Sequence, residues 1–193
     1  MDNDDMHGID PAEDGVKPSE LECELYEWLQ ALVTAIVCIV LIFTFLFRII
    51  SVDGFSMLPT LHDKDKILVL SSLIYTPRDG DIIVLRKESF IEQPIVKRVI
   101  ATENQTVDIN FITGEVSVDG VVLDEPYIAE RTYTMYDVSF PVTVPKGCVF
   151  VMGDNRNESS DSRVAAVGMV DTRYILGHVV FTLFPLNRIG VEK

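Results

Sequence analysis

One segment limits every fold open to this chain: the run ALVTAIVCIVLIFTFLF from Ala31 to Phe47 carries no charge. With Trp28, Leu29 and Gln30 in front it reaches 20 residues. As an α-helix that is about 30 Å, the thickness of a bilayer's hydrocarbon core. A buried core helix and a cleaved secretory signal are the competing readings. A cleaved signal wants a basic start and a small-x-small exit, whereas this flank is acidic and the exit reads Arg48-Ile49-Ile50-Ser51-Val52. The segment is therefore read as an uncleaved transmembrane helix over residues 28–48. That leaves residues 1–27 as a tail and residues 49–193 as a separate domain.

Charge separates the same parts. Residues 1–27 carry ten acidic side chains against Lys17 alone, while the rest of the chain carries 20 acids and 15 bases. Such a tail, poor in apolar residues and holding Pro11 and Pro18, is expected to be disordered up to the stretch around Glu20–Glu27. No stripe of Lys and Arg is available to neutralise phosphates, which argues against nucleic acid as a partner. By the positive-inside rule, Arg48, Lys64 and Lys66 favour a cytoplasmic C-terminal domain. Cys23, Cys38 and Cys148 are odd in number, and only Cys148 follows the apolar run, so no disulfide forms within the domain. His7, His62 and His178 have no metal-ligand spacing, so neither metal nor other cofactor is expected.

Beyond Arg48 the pattern changes to short apolar or alternating runs divided by turn residues. Strands are predicted at Lys66–Leu70, Asp81–Leu85, Ile95–Ala101, Thr106–Ile109, Glu115–Val118, Val121–Leu123, Val142–Val144, Cys148–Met152 and Tyr174–Phe184. Thr113-Gly114 and Asp119-Gly120 stand where tight hairpins would join neighbouring strands. The fold class read from this is an all-β domain behind a single N-terminal transmembrane helix. The stretch Arg131–Phe140 fits either a strand pair or a surface loop.

Two residues point to chemistry. Ser56 lies in the turn-like sequence Gly54-Phe55-Ser56-Met57-Leu58-Pro59-Thr60, and Lys97 lies in the apolar strand Ile95-Val96-Lys97-Arg98-Val99-Ile100. Burial disfavours an ammonium, so a lysine inside such a strand gives up its proton more readily and becomes able to take one from a serine. Either residue alone has an ordinary explanation, as a turn serine or as a lysine that snorkels to solvent. A third block, Gly153-Asp154-Asn155-Arg156-Asn157-Glu158-Ser159-Ser160-Asp161-Ser162-Arg163, follows the apolar strand at 148–152 and forms a dense polar loop. Loops held by a rigid strand commonly carry function.

In order, Ser56-Met57-x-Pro59-Thr60, Gly80-Asp81-Ile82-Ile83, Lys97-Arg98-Val99-Ile100 and the loop from Gly153 to Arg163 closely resemble the bacterial type I signal peptidases. The resemblance covers roughly residues 30–190. It takes in Asp124-Glu125-Pro126-Tyr127 and the late Gly168 and Gly177, and the anchor just before the serine is like that of the single-anchor Gram-positive type. It implies the complex β fold shared with the LexA family. It also implies a membrane-bound serine endopeptidase that removes signal peptides from exported preproteins, preferring Ala-x-Ala sites. By resemblance Ser56 is the nucleophile and Lys97 the general base, which Ser159 helps orient. Asp161 and Arg163 form a supporting ion pair, and Asp154 stands with them. The Ser56 N–H is the implied oxyanion donor, with Phe55 and Met57 as candidate pocket walls. Some members have a serine where this chain has Gly54, which is read here as a place of close backbone approach. The family places the acidic N-terminus in the cytoplasm and the catalytic domain outside, against the charge rule. Two other readings are a self-cleaving serine–lysine protease like the LexA repressors, disfavoured by the anchor, and a non-catalytic tethered β-domain that binds peptides.

Overall fold

The structure, a computed structural model, describes residues 20–87 and 93–191. The chain falls into two units that divide between Leu41 and Ile42. The one α-helix among the described residues, α1 (Glu20–Phe45), contains a 23-residue stretch, Cys23–Phe45, long and apolar enough to cross a bilayer. Its large apolar side chains, from Leu25 through Phe45, are exposed all round. A helix apolar on every face but covered by nothing is not the core helix of a soluble domain. Residues 1–19 of the acidic tail lie outside the described residues.

The second unit is built from twelve strands: β1 (Phe47–Ser51), β2 (Lys66–Ser71), β3 (Ile82–Leu85), β4 (Ile95–Ala101), β5 (Thr106–Asn110), β6 (Glu115–Val118), β7 (Val121–Val122), β8 (Val142–Thr143), β9 (Cys148–Met152), β10 (Val170–Asp171), β11 (Ile175–Phe184) and β12 (Gly190–Val191). Eight form one antiparallel sheet in the order β1-β2-β11-β3-β4-β9-β10, with β12 added to β11, and four form a smaller sheet, β7-β6-β5-β8. Every strand expected from the sequence is present, with ends moved by a residue at most. The sequence reading did not include β1, β10 and β12. Phe47 and Arg48, expected at the end of the helix, instead open β1, which pairs with β2 from Phe47↔Leu70 to Ser51↔Lys66. The aromatic and β-branched run Phe-Arg-Ile-Ile suits a strand, and β2 satisfies its backbone groups. Residues 131–140 are irregular, with no strand.

Two central strands explain where the site can be. All of β3 is buried, and β4 is buried from Val96 to Ala101. On one face Ile82, Val84 and Val96 pack with Val52, Met57 and Leu61, and on the other Ile83, Leu85 and Val99 pack with Val149, Val151 and Val167. Strands covered on both faces read as continuous apolar runs. The end of β4 and β9 reach a further core, where Ile100, Phe150 and Met152 meet Val107, Ile109, Val116 and Val118 of the small sheet. In that sheet the pair Val118↔Val121 encloses Asp119 and Gly120 at φ 51° and 79°. Two successive positive φ values are what a two-residue hairpin matched to strand twist requires, hence Asp-Gly.

Candidate active site

Lys97 and Arg98 are consecutive cations in a buried strand, so their side chains leave β4 on opposite faces. Both are almost wholly enclosed, at 3% and 1% exposure. Two buried cations need either counter-charges or a changed protonation state, and each takes a different course. Arg98 finds a counter-charge: its Nε and Nη2 donate to the two carboxylate oxygens of Asp154 at 2.8 and 2.7 Å, and its Nη1 to the Gly80 carbonyl at 2.8 Å. Lys97 forms no salt bridge among the described residues. Its Nζ lies 2.7 Å from Ser56 Oγ and 3.1 Å from its neighbour's carbonyl, Val96 O. Burial pushes the ammonium from its usual 10.5 down to about 8, a fall that the nearby Asp161 and Asp154 oppose and Arg163 assists.

The nucleophile turn is held from several sides. Gly54 has φ +96° and donates its N–H to Asp63 Oδ1 at 2.9 Å. Nothing lies within 4 Å of where its Cβ would be. The expectation of close backbone approach at Gly54 is thus corrected: the backbone angle is what calls for glycine there. Close approach occurs instead at Gly153, where a Cβ would overlap Ser159 Oγ and the Ser56 carbonyl oxygen. Asn155 completes the seam, donating its N–H to Ser56 O at 3.0 Å and its Nδ2 to Phe55 O at 3.1 Å. The Ser56 N–H has no hydrogen-bond partner among the described residues. Phe55 is exposed, whereas Met57 is buried in the main-sheet core.

The polar loop is anchored by ion pairs out of water. Arg163 grips Asp161 through Nε and Nη2, both at 2.8 Å, while Asp161 Oδ2 accepts the Gly153 N–H at 3.0 Å. Neither side chain of this pair is exposed. Ser159 is buried beside Gly153, and its hydroxyl has no hydrogen-bond partner among the described residues. The residues proposed from sequence, Ser56, Lys97, Asp154, Ser159, Asp161 and Arg163, therefore meet where the end of β9 turns past β4.

The sequence reading assigned no role to Thr60, Arg98, Asn155, Arg156, Glu125 or Tyr127. Thr60 donates its hydroxyl to Asp154, and Arg156 is paired with Glu125 at 2.6 Å. A usable signal was present in Lys97-Arg98: two adjacent cations in an apolar strand imply at least one buried acid brought from elsewhere in the chain. Among the described residues no cluster of His, Cys, Asp or Glu is suited to hold a metal ion.

The arrangement is a part-buried contact between Ser56 and a buried lysine, beside an ion-paired polar loop, with the Ser56 N–H unpaired among the described residues. Comparison with known proteins gives the family. Residues 25–184 match the family model for signal peptidase, peptidase S26. The chain is 38% identical over 176 residues to a signal peptidase I of Bacillus amyloliquefaciens, covering 86% of this chain and 92% of that one. It is 35% identical to signal peptidase I S of Bacillus subtilis, covering 84% of this chain and 91% of that one. A probable signal peptidase I-1 of Synechocystis is 42% identical, over 70% of each chain. A solved signal peptidase I from Enterococcus faecalis is 30% identical, with a TM-score of 0.45, over 54% of this chain and 97% of that one. The chain belongs to the signal peptidase family, peptidase S26, and is a serine endopeptidase.

Proposed function

We propose that this protein is a type I signal peptidase anchored by α1, in which Ser56 and Lys97 form a catalytic dyad that cuts exported preproteins through an acyl-enzyme. The observation that carries the reading is the 2.7 Å contact between Lys97 Nζ and Ser56 Oγ, made by a lysine whose ammonium titrates near 8. With that value about a tenth of the side chains are neutral at pH 7, against about one in three thousand for a free lysine. In the neutral form the contact reverses: the Ser56 hydroxyl donates to Nζ, the geometry a general base needs.

The chemistry follows from those atoms. Lys97 Nζ takes the hydroxyl proton as Ser56 Oγ bonds to the scissile carbonyl carbon, and negative charge develops on the carbonyl oxygen. The unoccupied Ser56 N–H can receive it. The tetrahedral species collapses as the C–N bond breaks and Lys97 returns its proton to the leaving amine. The acyl-enzyme is then hydrolysed by a water that Lys97 deprotonates, and Ser56 recovers its hydrogen. No histidine takes part. Asp154, Asp161 and Arg163 hold the loop that flanks the dyad, and Ser159 supplies a hydroxyl free to meet the lysine as it changes charge.

The substrates are preproteins cleaved after small residues at the first and third positions before the cut, as in Ala-x-Ala. The acidic N-terminus lies in the cytoplasm, the span is the Cys23–Phe45 stretch of α1, and the strands from β1 onward form the catalytic domain on the extracytoplasmic face of the cell membrane. Ser56 stands eight residues past Arg48, near enough to the bilayer to meet a cleavage site emerging from it. The test is cleavage of a preprotein with an Ala-x-Ala site by purified protein in detergent, beside Ser56→Ala and Lys97→Arg, with the product's new N-terminus sequenced. Cutting after the second alanine by the wild type alone is expected. Activity in Lys97→Arg would sink the dyad, because a guanidinium stays protonated.

A further inference from the structure

The segment after β7 brings an aromatic ring close to two buried cations. The Arg98 guanidinium carbon lies 4.0 Å from the centre of the Tyr127 ring, and that of Arg156 lies 5.8 Å from it. The Tyr127 hydroxyl donates to Glu125 Oε1 at 3.1 Å. Glu125 in turn grips Arg156, receiving Nη1 at 2.9 Å and Nη2 at 2.6 Å. Arg156 Nε donates to the Gly153 carbonyl at 3.1 Å, at the root of the polar loop. Arg98 in turn holds Asp154, which accepts the hydroxyl of Thr60 in the turn that carries Ser56. An aromatic face attracts a cation, and at 4.0 Å the Tyr127 ring helps fix the Arg98 guanidinium.

We propose that Tyr127 is a positioning residue for the Ser56–Lys97 pair: its ring sets Arg98 on Asp154, and Asp154 sets the nucleophile turn through Thr60. The inference rests on the reading of Ser56 and Lys97 as nucleophile and base. It gives the Asp124-Glu125-Pro126-Tyr127 segment, remote in sequence from every catalytic block, a part in the reaction. It also ties Tyr127 to the charge state of the base. The charged groups facing Lys97 are Asp154, Asp161 and Arg163, with Ser56 in contact. If Arg98 slackens its hold, the Asp154 carboxylate acts on Lys97 less compensated, and the lysine keeps its proton to higher pH.

The experiment uses the full-length enzyme in detergent and compares wild type, Tyr127→Phe and Tyr127→Leu for kcat, KM and the pH dependence of kcat/KM on an Ala-x-Ala preprotein. Phenylalanine keeps the aromatic face and loses only the hydroxyl, so Tyr127→Phe is expected to stay within about threefold of wild type. Tyr127→Leu is expected to lower kcat roughly tenfold with KM nearly unchanged, and to move the acid limb to higher pH. Wild-type kcat and an unmoved limb in Tyr127→Leu would overturn the inference. So would equal impairment of both variants, since the hydroxyl rather than the stack would then be at work. If Tyr127→Leu does not fold, Tyr127→Met takes its place in the same comparison, with the same outcomes. Ser56→Ala and Lys97→Arg run alongside: cleavage by either overturns the nucleophile–base reading, whereas both inactive with Tyr127→Leu like wild type removes the positioning inference alone.

Discussion

Replacing Lys97 by methionine should abolish cleavage and yet stabilise the fold, and the size of the gain follows from its surroundings. Lys97 is 3% exposed and has no salt-bridge partner among the described residues, and its ammonium falls from 10.5 to about 8. At ~1.4 kcal/mol for each tenfold change in the ionisation equilibrium, burying the charged form costs about 3 kcal/mol at pH 7. Between about pH 8 and 10.5 the unfolded chain binds the proton that the folded chain has released, so wild-type stability rises with pH across that window. The penalty is therefore complete below pH 8 and shrinks to under ~1 kcal/mol by pH 10. Methionine fills a similar unbranched volume and carries no charge. It gives up the hydrogen bond to Val96 O, worth ~1 kcal/mol net. The comparison is best made in a Ser56→Ala background, which removes the serine contact from both proteins. A gain of about 2 kcal/mol is expected at pH 7, or roughly 4–8 °C in Tm. Urea titrations in detergent at pH 7 and pH 10 read it directly. A methionine variant less stable at pH 7, or an advantage as large at pH 10, would refute the claim that Lys97 is held against its own desolvation.

Three further outcomes test other parts of the structure. In pH profiles of wild-type kcat/KM, activity should climb as pH rises through about 8, because the neutral amine is the working form; a limb centred near 10.5 would mean that Lys97 is not shifted. Asp154→Asn strands the buried Arg98 guanidinium and should cost about 3–5 kcal/mol in chemical denaturation, whereas a loss under ~1 kcal/mol would show the pair to be solvated. Gly153→Ala pushes a Cβ into the Ser56 carbonyl and Ser159 hydroxyl and should lower kcat roughly a hundredfold by shifting the nucleophile, with the far-UV spectrum unchanged. Wild-type kcat in that variant would show the seam to be slack.

The strands were legible because each announces itself locally. Ile95–Ala101 is an unbroken apolar run around two cations, and Asp119-Gly120 marks its hairpin by chemistry that only a positive-φ turn requires. β1 was hidden because Phe47 and Arg48 continue the apolar character of the helix, and what makes them a strand is the distant partner β2. β10 and β12, two residues each, exist only through pairing with β9 and β11. Ser56, Lys97 and the loop from Gly153 stand out by their residue types, and the ion pair of Asp161 with Arg163 is what the family resemblance implies. Glu125 and Tyr127 could not be given roles, because their partners Arg156 and Arg98 are reached only by folding.

What assembles the site is the pairing of β4 with β9. Arg98 faces Met152 across that pair, so the chain leaving β9 at Gly153 emerges beside the strand that carries Lys97. From there polar groups are used in quick succession: Asp154 answers Arg98, Asn155 holds the Phe55 and Ser56 carbonyls, and Asp161 closes on Arg163 and returns to the Gly153 N–H. Near the site Asp154, Asp161 and Glu125 are each matched by an arginine, so Lys97 stands among neutral pairs, without a counter-ion of its own among the described residues. In the proposed mechanism that imbalance is what suits Lys97 to act as a base. An unmatched acid there would hold the ammonium charged, and an added cation would drive it neutral at the cost of the fold. Three matched pairs leave desolvation as the largest influence on Lys97 and bring its ionisation close to neutrality, where a lysine can take a proton from Ser56 and later give it back.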